Sequence, residues 1–409
     1  MGANVATDGL RDLPDGFEAL ARDAAAVRQA LTRLPNTAER AAVARSFTAM
    51  TDRISAIRSA LNDALLGKAD PMQRRDLLKL WPLPVVAGSV PFAMLERVAS
   101  AARVDPPAVE AEAALGTAYA AQYDTQPVDV MTTLVAGHLT RARRFLDGSM
   151  TPQLRTKATG VVADAAAFAG WLAYASDARR DAARMFALAE SAALESGDTV
   201  RHAAVLLSQS ELLTSSHPSK GGWYRPDLDR ALDLAEQAYL MLPASADPRV
   251  RSWVCARLAT LYAGNGTGGL FYDRMDEAHD ALAEPIDPAG QGFFSSGGRF
   301  ATWDQSLLSG YESSGLLRLG RADSARVMTE IDLVHLPDGY GRRRVNTRLT
   351  CAAAYLASRD IDAAVAYAVQ AAEDAKQQRY PLGLARVRTL RARMQADAKA
   401  LRDLDAVLA

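Results

Sequence analysis

Apolar residues recur along this chain in alternating steps of three and four, the spacing that lines one face of an α-helix. The first run is Phe17, Leu20, Ala24, Val27, Leu31 and Leu34. Pro35-Asn36-Thr37 interrupts it, and Asn36 with Glu39 three residues on has the form of a capping box that opens a second helix. That helix carries Val43, Phe47, Met50, Ile54, Ile57, Leu61 and Leu65 on one side. Two adjacent heptad seams predict an N-terminal helical hairpin or coiled coil over 1–66, closing on itself or, through residues 17–66, on a second copy. Residues 67–91 hold Gly67, Pro71, Pro82, Pro84, Gly88 and Pro91 and read as a linker. Helices resume at 92–103, 107–122 and 128–146, an entry region spanning 92–151. No alternating Val/Ile/Thr run lies between turn residues, so no strand is predicted.

From 152 to 409 the pattern repeats. Small and bulky residues recur as Ala182-Phe186-Ala189, Ala231-Ala235-Ala238 and Ala364-Ala368-Ala371, with looser copies at Ala278-Leu282 and Ala325. Successive registers are 49, 47, 47 and 39 residues apart. Twelve positions before that alanine the preceding helix carries a small residue followed by an aromatic, as in Gly170 with Tyr174 and Ala352 with Tyr355. In the third unit a longer inserted loop separates Ala259 and Tyr262 from the second helix. Small residues let paired helices approach closely, and one pair cannot cover its apolar face alone, so neighbours must stack. The pattern predicts five units, stretched loops at 215–227, 264–274 and 285–299, and a closing helix at 381–394. The fold expected is all-α: a right-handed superhelical solenoid of tetratricopeptide-like hairpins.

The run HLTRARRFLDGSMTPQLRTKATGVVADAAAFAGWLAYASDARRDAARMFALAESAALESGD, within 138–214, closely resembles the tetratricopeptide sensor region of bacterial helix-turn-helix regulators of the XRE type. The shared order is a His-Leu helix, a Gly-Ser-x-x-Pro turn, an Ala-Gly-Trp-Leu-Ala helix, and Asp before an Ala-Ala-Arg helix. The likeness covers about 72–395, and the Arg-Arg-Asp-Leu-Leu segment resembles the family's junction between DNA-binding head and repeats. The family's five-helix head is absent, and the heptad hairpin stands in its place. The resemblance therefore implies the sensor half: a concave groove that binds a peptide, a small molecule or another protein.

Composition narrows the function further. Hydrophobic content of 49% with 23% charged residues excludes wholesale disorder. The 47 basic and 48 acidic residues nearly cancel, to a net charge of -1, so direct nucleic-acid binding and attraction to an anionic membrane are not expected. No run of 18 apolar residues is present, so no membrane span is predicted. The stretch from Gln73 to Lys79 looks like a twin-arginine export motif, but it lies inside the chain and reads as a structural junction. Cys255 and Cys351 sit in Ala-rich helical patterns as small buried residues, and so few thiols fit a reducing cytoplasm.

Catalytic patterns do not assemble. The histidines at 138, 202, 217, 279 and 335 form no HExxH and have no carboxylates at metal spacing, and neither cysteine has an activating histidine nearby. No metal, cofactor or enzymatic activity is expected. Gly264-Asn265-Gly266-Thr267-Gly268-Gly269 lacks the preceding strand and the Lys-Ser/Thr pair of a phosphate loop and reads as a flexible inserted loop. Phe271, Tyr272, Phe293 and Phe294 stand in such loops, as a lid over the groove or packed on the next helix. Positions six before and one after each first-helix small residue are the groove candidates: Asp164, Trp171, His202, Gln209, Trp253, Thr260 and Asn346. Amide and aromatic side chains there could grip a peptide backbone. Arg342, Arg343, Arg344 and Arg348 make the strongest local basic patch, at a helix start.

The expectation is a cytoplasmic regulatory or adaptor protein that binds a peptide or protein partner in the groove. The alternatives are a constitutive protein–protein scaffold, or a transcriptional regulator acting with a separate DNA-binding partner.

Overall fold

The computed structural model describes residues 104–214, 218–219, 222–223, 226–285, 303–337, 339–394, 399 and 401–409. The expected N-terminal hairpin, the linker, the 92–103 helix, the twin-arginine-like segment and Phe293 and Phe294 lie outside the described residues. Fourteen helices make the described part all-α. Two of them, α1 (Pro106–Ala121) and α2 (Val128–Phe145), form the entry region. Five pairs follow: α3 (Pro152–Ala175) with α4 (Arg179–Ser196), α5 (Thr199–Thr214) with α6 (Leu228–Met241), α7 (Pro248–Gly264) with α8 (Gly268–Ala283), α9 (Gln305–Arg318) with α10 (Ala322–His335), and α11 (Gly341–Ala357) with α12 (Ile361–Gln377). A closing helix, α13 (Pro381–Arg393), and a short α14 (Arg402–Leu408) complete it. The absence of strands was expected, but β1 (Pro218–Ser219) pairs antiparallel with β2 (Gly222–Trp223). Two residues a side are too few to show an alternating pattern.

Local chemistry sets the helix starts. Asp105, Thr151, Asp247 and Asp304 each accept a backbone N–H from the first turn, and the first three precede a proline at the first helical position, where its missing N–H costs nothing. Asp227 and Asp360 cap α6 and α12 in the same way.

The small-residue pattern forms the seams between paired helices. Ala182, Ala189, Ala231, Ala235, Ala238, Ala364, Ala368 and Ala371 are all fully buried. In the first pair the bulky member, Phe186, packs against Gly170, where a Cβ would come within 2.5 Å of the ring. The third pair corrects the sequence register. Its pattern is Phe271-Met275-Ala278, seven residues or about two turns earlier than the Ala278-Leu282 reading, and Phe271 lies twelve residues after Ala259. Phe271 and Met275 are buried whereas Leu282 is only half-buried. No long loop is inserted there: residues 265–267 alone separate α7 from α8, and Gly268 and Gly269 open the helix. Phe271 is thus core, not lid. Gly315 of α9 leaves room for its ring, as Gly170 does for Phe186.

α3 is long and apolar enough to cross a membrane by length and composition, with a mean hydropathy of 1.2 over its best 18-residue window. Its burial within the fold is that of a core helix, packed between α1, α2, α4 and α5.

The last helices meet the first. Arg343 of α11 pairs with Asp124 after α1 at 2.8 Å, and Arg379 pairs with Asp129 of α2 at 2.7 Å. The Val128 N–H donates to the Gln378 carbonyl at 3.4 Å. Pairs 219 and 250 residues apart in sequence therefore join the two ends of the array.

Candidate functional site

This closure leaves a hollow of about 400 Å³, lined by α3, α5, α7, α9, α11 and α13. These are the first helix of each pair and the closing helix, so every repeat contributes the same kind of face. The lining is rich in hydroxyls and guanidinium groups: Tyr174, Thr214, Thr260, Tyr311, Ser313, Ser314, Thr347 and Thr350 stand among five arginines.

Glu211 of α5 is the single carboxylate in that lining. It accepts a hydrogen bond from the Tyr311 hydroxyl, which in turn accepts from the Trp253 indole at 3.2 Å. Arg257 of α7 approaches Glu211 at 3.4 Å and donates to the Ser210 hydroxyl, the Ser210 carbonyl and the Thr214 hydroxyl at 2.8–2.9 Å. Arg386 of α13 donates to Asn346 at 2.8 Å and to the Tyr174 phenol at 3.3 Å. Arg343 is held by Asp124 and by Asp304, 2.8 Å away on its other side.

Arg318, the last residue of α9, differs from these. Its side chain is open to solvent inside the hollow, with Nη1 beside Gly264, and among the described residues it has no hydrogen bond or ion pair. Enclosure by the surrounding helices and the Arg257 charge hold its pKa below the usual arginine range, against a weaker pull from Glu211. Glu211 pairs with Arg257 at 3.4 Å and exerts only a weaker, longer-range attraction on Arg318 and Arg386. The five lining arginines, Arg257, Arg318, Arg343, Arg386 and Arg393, face Glu211 together with Asp124 and Asp304, an excess of two positive charges.

Gly310 adds a second feature. It sits in mid-helix on the lining face of α9, and a Cβ there would meet nothing within 4 Å. A mid-helix glycine costs about 1 kcal/mol relative to alanine. Packing does not require this one, and it widens the hollow.

Of the groove residues expected from sequence, Thr260 and Asn346 line the hollow. The other five do not. Asp164 is buried and paired with Arg201 at 3.0 Å. Trp171 is core, its indole donating to Ser208 at 3.1 Å. His202 and Gln209 both turn to Glu190 of α4, at 3.7 and 2.7 Å. Trp253 is core too, and supports Tyr311 from behind. The reason is geometric: the lining stripe shifts relative to the small residue from pair to pair. Tyr174 stands four after Gly170, Arg257 two before Ala259, and Asn346 six before Ala352.

The expected basic patch is dispersed, because consecutive helical positions point 100° apart. Arg342 is buried with its guanidinium 4.0 Å from the Tyr123 ring centre, and Arg343 is buried between its two aspartates. Arg344 donates to the Leu336 and Pro337 carbonyls, and Arg348 pairs with Asp374. The residues that sequence reading missed are Glu211, Arg257, Tyr311 and Arg318. Arg257 stands two before Ala259 and Arg318 five after Ser313, so no repeated position along the first helices marked them.

Among the described residues no group of three His, Cys, Asp or Glu side chains stands together as a metal site. No protein-family model matches the chain, and no curated protein matches it, so the site's own geometry carries the functional argument.

Proposed function

We propose that this protein is a cytoplasmic regulatory or adaptor protein whose helical hairpins wind as a tetratricopeptide-like solenoid and bind a peptide or protein partner in the central hollow. The observation that carries the reading is the shared lining: every first helix turns hydroxyl, amide or guanidinium groups toward one space, and such groups pair with main-chain amides and with charged ends. The likeness of 138–214 to sensor regions of helix-turn-helix regulators supports the same reading. The protein acts by binding and not by turnover.

Selection of displayed random peptides on the full chain tests this, with a counter-screen on Gly310→Trp. The indole would enter the hollow from a position where a Cβ meets nothing. Peptides that bind the wild type and lose at least about tenfold in affinity on Gly310→Trp, a loss of about 1.4 kcal/mol, are the expected outcome. Failure to select any peptide, or binding indifferent to Gly310→Trp, would remove the hollow as a peptide site.

A further inference from the structure

Two of the five lining arginines, Arg318 and Arg393, make no hydrogen bond or ion pair among the described residues, and Arg318 is the one that stands beside Arg257 and Glu211. Arg257, Arg318 and Arg386 come from three different helices, and the one carboxylate of the lining, Glu211, pairs only with Arg257. Arg257 and Arg386 are satisfied by Ser210, Thr214, Asn346 and Tyr174. Arg318 has no such partner among the described residues, although it is open to solvent in the hollow and is repelled by Arg257. A guanidinium so placed is free to take an entering oxyanion, because the fork of N–H donors matches two oxygens of one group. The Tyr311 and Tyr174 hydroxyls and Ser314 border the same space and can complete an oxyanion's shell.

We propose that the hollow is an oxyanion site, with Arg318 as its open donor and Arg257 and Arg386 as flanking donors, and that the peptide bound there presents an acidic side chain or its terminal carboxylate to them. This rests on the peptide-binding reading above and gives it a ligand class.

Calorimetric titration of the full chain with hexaglutamate, hexaglutamine and inorganic phosphate tests it. Wild type, Arg318→Gln and Arg184→Gln are compared, the last removing an exposed charge of α4 outside the hollow. Hexaglutamate is expected to bind, hexaglutamine not, with Arg318→Gln weakening hexaglutamate about tenfold or more and Arg184→Gln leaving it unchanged. Arg318→Gln should also melt no lower than wild type, since Arg318 makes no hydrogen bond or ion pair among the described residues, whereas a merely structural arginine would lower the melting temperature. Hexaglutamine binding as tightly as hexaglutamate would overturn the oxyanion assignment and leave peptide binding standing. Equal weakening by both substitutions would overturn it as well, because the attraction would then belong to the whole surface. Arg318-dependent binding of phosphate without either peptide would keep the oxyanion site and remove the peptide. No binding of any probe would overturn the assignment, and the fate of peptide binding would rest with the display selection.

Discussion

Arg386 in the closing helix donates from Nη2 to the phenol oxygen of Tyr174 in the first pair, 3.3 Å away and 212 residues earlier in the chain. With Arg343–Asp124 and Arg379–Asp129 it converts a row of hairpins, each touching its neighbours, into an array whose ends touch. A row without closure would unfold pair by pair from its ends, as repeat arrays do. Tyr174→Phe removes the hydroxyl and keeps the ring. It should cost about 1 kcal/mol, read as a lower urea midpoint, and open α13 to faster amide exchange than the rest of the array.

Two glycines separate packing from function. Gly170→Ala puts a methyl against Phe186 in a closed seam, and should lower stability by about 1–3 kcal/mol. Gly310→Ala places its methyl in open space on a helix and should raise stability by about 0.5–1 kcal/mol. Thermal or urea melts of both variants read the opposite signs. Equal effects would remove Gly310 as a residue that holds the hollow open.

The pattern of small residues was legible because helix seams tolerate few side chains. Ala182, Ala189, Ala364 and Ala371 placed two seams, and the closing helix began at Pro381 as expected. Phe271 was not legible as a seam residue, because a bulky side chain there is accommodated by Gly315, 44 positions later, and only the packed pair reveals the exchange. The site was legible only in part. Thr260 and Asn346 fell on the lining, but Trp253, seven residues before Thr260 on α7, is core, and Asp164 and Trp171 on α3 are covered by α5. Arg318 stands last in its helix, five residues beyond Ser313, outside any position the repeat rule selected.

The entry helices carry a pH-sensitive tie. Glu112 is fully buried, within 2.6 Å of His138 Nδ1 and 3.0 Å of Arg141. Burial alone would raise its pKa, but the hydrogen bonds and charges of His138 and Arg141 outweigh it and hold the carboxyl below the ordinary 4.5. A carboxyl with a depressed folded pKa contributes stability that is present above its unfolded value and lost as pH falls through the folded one. The melting temperature should therefore drop below about pH 4.5, and Glu112→Gln should flatten that drop while lowering stability at neutral pH. An unchanged acid slope in Glu112→Gln would remove this tie.

The cysteines report on opening. Burial and the nearby Glu277 carboxylate push the Cys255 thiol up to about 12, and burial raises Cys351 as well. Thiolate is the reactive form, so iodoacetamide at pH 8 should label both residues at least about a hundredfold more slowly in the native chain than in urea. Rapid native labelling at either position would mean that its seam opens readily.

Amide hydrogen exchange of the full chain, with and without a peptide obtained by display selection, shows which helices a bound peptide covers. Slowed exchange is expected in α7, α9, α11 and α13, whose side chains face the hollow, with little change in α4, α6 and α8. Protection confined to those second helices, or no protection anywhere despite binding, would contradict the hollow as the site of recognition.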